Sequence, residues 1–183
     1  MKASVISEYG YDEAVIGFSL SYNTSLERVK EILPKYAFGV PGEGKFLESM
    51  IVYLDVTAPR YWWQEADTYR VGTTKNSEST MHTLAKRSLD INDFEGGIVD
   101  IEYLVRLNNY RVCLVNKMES YTLAEFKGLL PEGFLQRRIW MMSYKTLQTI
   151  YIQRYGHKLP QWRLFLDTVV SKIQHPEFVR RAE

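Results

Sequence analysis

The chain has 183 residues, with 23 Lys+Arg against 22 Asp+Glu and a formal net charge of +1. That length suits one domain with a single core, and the near-neutral charge gives no electrostatic basis for binding a nucleic-acid polymer or a membrane surface. One cysteine, Cys113, excludes an internal disulfide and a Cys-rich zinc site. No apolar run approaches the ~20 residues of a membrane helix, and MKASVISEYGYDE lacks a secretory apolar segment. The expectation is a cytoplasmic protein with a single α+β domain over 1–183. The unusual figure is 14% aromatic residues, including 13 Tyr and 4 Trp.

In chain order, Ala14–Tyr22 (AVIGFSLSY) partly alternates apolar with small or polar residues, which predicts a strand. Asn23-Thr24-Ser25 offers a cap for a helix over LERVKEILPKY, where Leu26, Val29, Ile32 and Leu33 share a face. GVPGEGK reads as a loop by its glycines and proline. MIVYLDVTAP has the β-branched and aromatic content of a buried strand ending near Pro59. RYWWQEADTYR predicts a helix over Arg60–Arg70 that gathers Trp63, Ala66 and Arg70. VGTTKNSEST reads as a loop or short strand. From Asp100 to about Lys127, Ile101, Leu104, Val105, Val112, Val115 and Met118 recur at helical spacing, with a break near Ser120. Leu130-Pro131-Glu132-Gly133 punctuates the chain. RRIWMMS then predicts a strand, KTLQTIYIQRYG a helix, and QWRLFLDTVVSKIQ a last helix with Pro160 in its first turn.

For chemistry, His82, His157 and His175 are too scattered to form a local ligand set, so no metal site is expected. Cys113 lies in an apolar helical pattern, where a buried structural thiol is the expectation. No GxSxG, Walker A or GxGxxG motif occurs. Two polar groups are more informative. Arg60, Gln64, Glu65, Asp67, Tyr69 and Arg70 stand beside Tyr61, Trp62 and Trp63, followed by the hydroxyl and amide side chains of Thr73–Ser79. Lys145, Gln148, Arg154, His157, Lys158, Gln161 and Arg163 form the second. Guanidinium, hydroxyl and backbone N–H groups can cradle phosphate, and aromatic faces can stack on a flat ring. The competing reading of the first group is a network of ion pairs on a solvated helix with the tryptophans in the core, and of the second a basic face of two ordinary helices.

The order of these segments resembles the flavin-dependent thymidylate synthase (ThyX) family. Gly42 and Glu48 keep the Gly and Glu of a GHxSxxEH-like segment, whose histidines are replaced by Glu43 and Ser49. Arg60 matches the arginine of an SR pair. Thr68-Tyr69-Arg70 stands where the family carries RHR, and Asn76 and Ser79 resemble the NxxS portion. After Leu130-Pro131, Ser143, Lys145 and Thr146 replace the Asn, Arg and Ser of an NxRSL helix, while Leu147 and the later arginine, Arg154, are retained. His157, Gln161 and Trp162 resemble the run that opens the last helix. Phe165 stands where the family's EIR arginine would fall, and Arg163 is the nearest substitute.

The resemblance implies a ThyX-like fold, with a mostly antiparallel sheet flanked by helices and a helical C-terminal half. It also implies a homotetramer with FAD and dUMP at subunit junctions, and one-carbon transfer to a pyrimidine nucleotide with folate and NADPH. By position it implies substrate contacts at Arg60, Gln64, Arg70, Glu78, Ser79 and Lys145. Flavin contacts would fall at Glu48, Tyr69, Arg70, Asn76, Arg154, His157 and Gln161, and catalytic roles at Arg70 and Arg163. The departures, above all at the RHR and EIR positions, imply a changed substrate or a nucleotide-binding protein without redox activity as the alternative.

Overall fold

The structure is a computed structural model, and it describes residues 1–39 and 42–181. Along the chain run β1 (Lys2–Tyr9), α1 (Tyr11–Tyr22), α2 (Leu26–Gly39), β2 (Ile51–Pro59), α3 (Arg60–Ala66), β3 (Thr73–Ser77) and α4 (Thr80–Thr83). They continue with α5 (Ile101–Val115), α6 (Leu123–Leu129), β4 (Leu135–Ser143), α7 (Tyr144–Arg154) and α8 (Pro160–Val170). The strands form one mostly antiparallel sheet in the order β1-β2-β4-β3. Inner strand β2 shows why its sequence reads as buried: Val52, Leu54, Val56 and Ala58, alternate residues on one face, are all fully buried.

Most of the predicted elements are present, with four differences. AVIGFSLSY is not a strand but most of α1. Its buried residues are Ala14, Val15, Phe18 and Ser19, at helical spacing, and Asp12 and Glu13 sit in the first turn, where the helix dipole favours acids. Gly10, before the helix, has φ +90 and a Cβ there would lie 2.2 Å from the Ser49 carbonyl oxygen, so only glycine fits. Strand β1 is missing from the sequence-based reading. Its inward residues are Ala3, Val5 and Ser7, too small and mixed to give an alternating apolar signal.

Helix α3 stops at Ala66, so Arg70 is not on its face but exposed on the loop beyond it. The predicted helix after Asp100 exists as α5 and α6, yet its core face is turned: Leu104 and Leu107 are buried, whereas Ile101, Val105, Val112, Val115 and Met118 are about half exposed. Part of the GVPGEGK loop lies outside the described residues, at 40 and 41. From Glu43 to Glu48 the chain forms a 3-10 turn.

The chain divides into two compact units. The first comprises Met1, 57–68 and 76–138. Its core gathers Leu84, Leu89, Phe94, Leu104, Leu107, Phe126, Leu130 and Phe134. Here Trp63 donates its indole N–H to the Gln136 carbonyl (3.0 Å), and the Arg138 guanidinium lies 4.3 Å from the Trp63 ring centroid while gripping both carboxylate oxygens of Asp67 at 2.9 and 3.0 Å.

The second unit comprises 2–56, 69–75 and the chain from 139 onward. Its core includes Val15, Val29, Leu33, Leu47, Met142, Leu147 and Leu166, with Trp140 stacked on Phe165 at 5.7 Å. All four tryptophans are fully buried, which accounts for much of the aromatic content as core packing.

Candidate ligand-binding site

A cavity of about 920 Å3 in the second unit is built on α7. Lys145, Gln148, Tyr151 and Tyr155 follow one another at spacings of three and four residues, so one helix face carries them all into the lining. The last turn of α2 adds Ala37 and Phe38, the segment 42–48 adds Lys45 and Glu48, and the tail after α8 adds Val179, Arg180 and Arg181.

Gln148 ties three of these segments together. Almost wholly buried, it donates from Nε2 to the carbonyls of Ala37 (3.0 Å) and Phe178 (2.8 Å), and its Oε1 accepts from Lys145 Nζ (3.1 Å). A buried amide with both ends satisfied holds its neighbours in a fixed register. The Lys145 ammonium lies beside Gly44, where a Cβ would stand at van der Waals distance, 3.4 Å from Nζ.

The lining is cationic. Lys45, Lys145, Arg180 and Arg181 stand against one carboxylate, Glu48, and among the described residues none of the four is ion-paired. Arg181 donates one guanidinium N–H to the Phe38 carbonyl (3.0 Å) and rests 5.2 Å from the Phe38 ring centroid, leaving its other donors available. The Tyr151 and Tyr155 rings stack at 4.7 Å and 26°. Burial raises the Tyr151 hydroxyl above the usual tyrosine range and Tyr155 raises it further, while Arg180 opposes the shift. Tyr151 is thus a neutral donor at physiological pH. A concave wall with ammonium, guanidinium and phenol donors beside flat rings suits an anionic ligand that carries an aromatic group.

Of the residues singled out from the sequence, Gly42, Glu48, Lys145 and Gln148 line this cavity. Four others gather in the same unit around the end of α7 and the start of α8. Arg154 donates from Nε to the Tyr69 hydroxyl (3.0 Å) and lies 5.3 Å from the Trp162 ring centroid, while Tyr69 donates to Gln153 Oε1 (2.9 Å). His157 Nδ1 accepts the Leu159 N–H at 3.2 Å, fixing the entry to α8, and half-buried Gln161 occupies the first turn of that helix. Arg163 points along the exposed side of α8, 3.6 Å from Asp167 and 5.3 Å from the Tyr155 ring centroid. Arg70 is exposed.

The remaining residues belong to the first unit. Arg60 donates to the Leu130 carbonyl (2.8 Å) and stands 3.7 Å from Glu132, which also accepts from Gln64 Nε2 (2.9 Å). Asn76 lies exposed on β3. The Glu78 N–H bonds to the Arg137 carbonyl (2.9 Å), and the Ser79 carbonyl closes the first turn of α4 by accepting from the N–H groups of His82 and Thr83, both at 3.0 Å.

Sequence reasoning missed Lys45, Tyr151, Tyr155, Arg180 and Arg181. The tyrosines carried a usable signal, because they share a helix face with Lys145 and Gln148. Two adjacent arginines in a tail carry none.

No protein-family model matches this chain, and no curated protein matches it significantly by sequence. Solved structures do match by shape. A flavin-dependent thymidylate synthase ThyX from Helicobacter pylori, complexed with FAD and dUMP, superposes with a TM-score of 0.78 at 15% identity, over 98% of this chain and 98% of that one. A second Helicobacter pylori ThyX structure with FAD and dUMP gives 0.77 at 16% identity, over 99% of this chain and 98% of that one. The architecture that the motif order implied is therefore the one present: this chain has a ThyX-like fold.

Proposed function

We propose that this chain is a flavin-dependent thymidylate synthase-like enzyme, which transfers a one-carbon unit to dUMP or a related pyrimidine deoxynucleotide with reduced FAD. The observation that carries this reading is the cavity: unpaired cations and a stacked tyrosine pair, with Glu48 and Lys145 among the lining residues, in a ThyX-like fold. Its volume lies within the roughly 300–1,000 Å3 of small-molecule sites. FAD needs a flat apolar surface and positive charge for its diphosphate. Tyr151 and Tyr155 meet the first need and the lysines and arginines the second, so these residues fit the group and would hold it. When bound, reduced FAD would supply the reducing equivalents that turn the transferred carbon into a methyl group.

The chain's own residues have narrower tasks. Lys145 neutralises phosphate as a point charge, without the two-pronged grip of an arginine. Gln148 keeps Lys145 aimed, and Tyr151 donates a neutral hydrogen bond. By the resemblance, Arg70 and Arg163 are the cations assigned to the pyrimidine, Glu78 and Ser79 to the nucleotide, and Tyr69, Asn76, Arg154, His157 and Gln161 to the flavin; Arg60 and Gln64, both engaged by Glu132, are left to the fold. Folate, NADPH and a homotetramer complete the reading.

One observation favours a second reading, a nucleotide-binding protein without redox activity. Phe165, where the resemblance implies an arginine, is fully buried against Trp140 and Trp162. That position presents no cation to stabilise negative charge on a pyrimidine under attack, a contribution worth about 3–4 kcal/mol where single donors have been removed elsewhere. A titration with FAD and with dUMP, followed by visible absorbance and calorimetry, separates the readings, together with an assay for exchange of the dUMP ring hydrogen. The enzyme binds both and exchanges the hydrogen; the second reading predicts nucleotide binding alone. Indifference to both ligands defeats the two together.

A further inference from the structure

We propose that Arg180 and Arg181 join Lys45 and Lys145 to make the cavity selective for a diphosphate group, with the carboxy-terminal segment as one half of an anion clamp. The inference rests on the reading of this cavity as the ligand site. Four cations facing one carboxylate in a concave wall repel one another, modestly because Lys45, Arg180 and Arg181 are exposed to solvent. A single phosphate offsets only part of that repulsion, whereas two linked phosphates can engage two separate pairs of cations.

The pairs come from different parts of the chain and are held differently. The Lys145 ammonium passes beside Gly44, the residue before Lys45, and is braced by Gln148 Oε1. The arginines follow a 3-10 turn, Pro176–Phe178, that is anchored rather than loose. Phe178 and Val179 are buried, the Phe178 carbonyl accepts from Gln148 Nε2, and the Arg180 N–H bonds back to Pro176 at 3.0 Å. Arg181 is fixed by the Phe38 carbonyl, and Arg180 lines the same cavity as Tyr151. Gln148 thus touches both halves, the lysine through its oxygen and the tail through its nitrogen. The Arg181 guanidinium, held this way, presents its remaining donors, and the anchored backbone lowers the ordering cost of placing Arg180 beside it.

The test is calorimetric titration of the full chain with inorganic pyrophosphate and inorganic phosphate at fixed ionic strength. The wild type is expected to bind pyrophosphate at least about tenfold more tightly than phosphate, the effect of one or two additional charge-assisted hydrogen bonds. The double variant Arg180→Gln/Arg181→Gln should bring the two within about twofold. Arg180→Gln alone, which keeps the Arg181 anchor on Phe38, should remove part of the preference. Arg28→Gln, an equal loss of charge on exposed α2, should leave it unchanged.

Equal binding of the two anions by the wild type overturns the inference, and so does a preference that survives in the arginine variants or falls equally in Arg28→Gln. Failure here with FAD and dUMP still bound leaves the proposed function standing. A pyrophosphate preference that depends on the arginines, in a protein that ignores FAD and dUMP, sustains the clamp and sinks the proposed function.

Discussion

The two units use the same side chains to opposite ends. In the first, three arginines are matched to acids: Arg138 holds both carboxylate oxygens of Asp67, Arg87 pairs with Asp93, and Arg60 stands by Glu132. In the second, four cations line one cavity and, among the described residues, none has an acidic partner within ion-pair distance. A paired cation has its charge answered, so it contributes to the unit that contains it. An unpaired cation in a concave wall keeps its donors for an anion, which ties it to ligand binding. Partner chemistry, more than residue type, separates architecture from site.

That contrast breaks most visibly at Arg138. Arg138→Met keeps the apolar stem over Trp63 but removes the guanidinium, its grip on Asp67 and its bond to Gln136 Oε1. The Arg138 side chain is 14% exposed and Asp67 47%, so the effect falls below that of a fully buried pair. The expected loss is about 2–3 kcal/mol of unfolding free energy by urea titration, with nucleotide affinity unchanged. A change in affinity without a loss of stability would reverse the assignment.

Lys145→Met is the mirror experiment. Removing a cation whose polar contact in the described structure is a glutamine oxygen should leave the urea midpoint almost unmoved. Affinity for dUMP or FAD should fall roughly ten- to thirtyfold, about 1.4–2 kcal/mol for one charge-assisted contact. Calorimetry on the folded variant checks it, and unaltered affinity would remove Lys145 from the site.

Legibility in the sequence follows the same division. Periodic burial made β2, α2, α7 and α8 readable, because Val52, Leu54 and Val56 or Val29 and Leu33 repeat at the spacing of their element. Lys145 was legible because motif order and helical position agree. Arg60 looked as suitable for an anion as Lys145, and nothing local reveals that Glu132, far along the chain, answers it. Arg180 and Arg181 were illegible for the converse reason: their role depends on Gln148 and Phe38 holding the tail, contacts spanning 30 and 143 residues of sequence. α1 misled because its glycine and serines mimic alternation, while the helix is set by the packing of Val15 and Phe18.

The smallest effect expected concerns acid sensitivity at a paired cation, Arg87 with Asp93. Burial by itself would raise the Asp93 carboxyl, but hydrogen bonds from Arg87 and from the Asp90 N–H outweigh it and hold the group below the usual aspartate range. A folded-state value below the unfolded one means that the unfolded chain binds the proton more readily. The stabilisation is therefore present above the unfolded value, about 3.9, and is lost as pH falls through the lower folded one. Asp93→Asn keeps an oxygen for the Asp90 N–H and removes the charge. The variant should be modestly less stable than wild type at neutral pH, and the gap between their urea midpoints should close as pH falls below about 4. Lysine and arginine in the cavity do not titrate in that window, so Lys145→Met should show the same acid profile as wild type. A constant gap for Asp93→Asn would mean that its contribution is packing and hydrogen bonding rather than charge. The pairing that distinguishes the first unit would then no longer rest on electrostatics at this site.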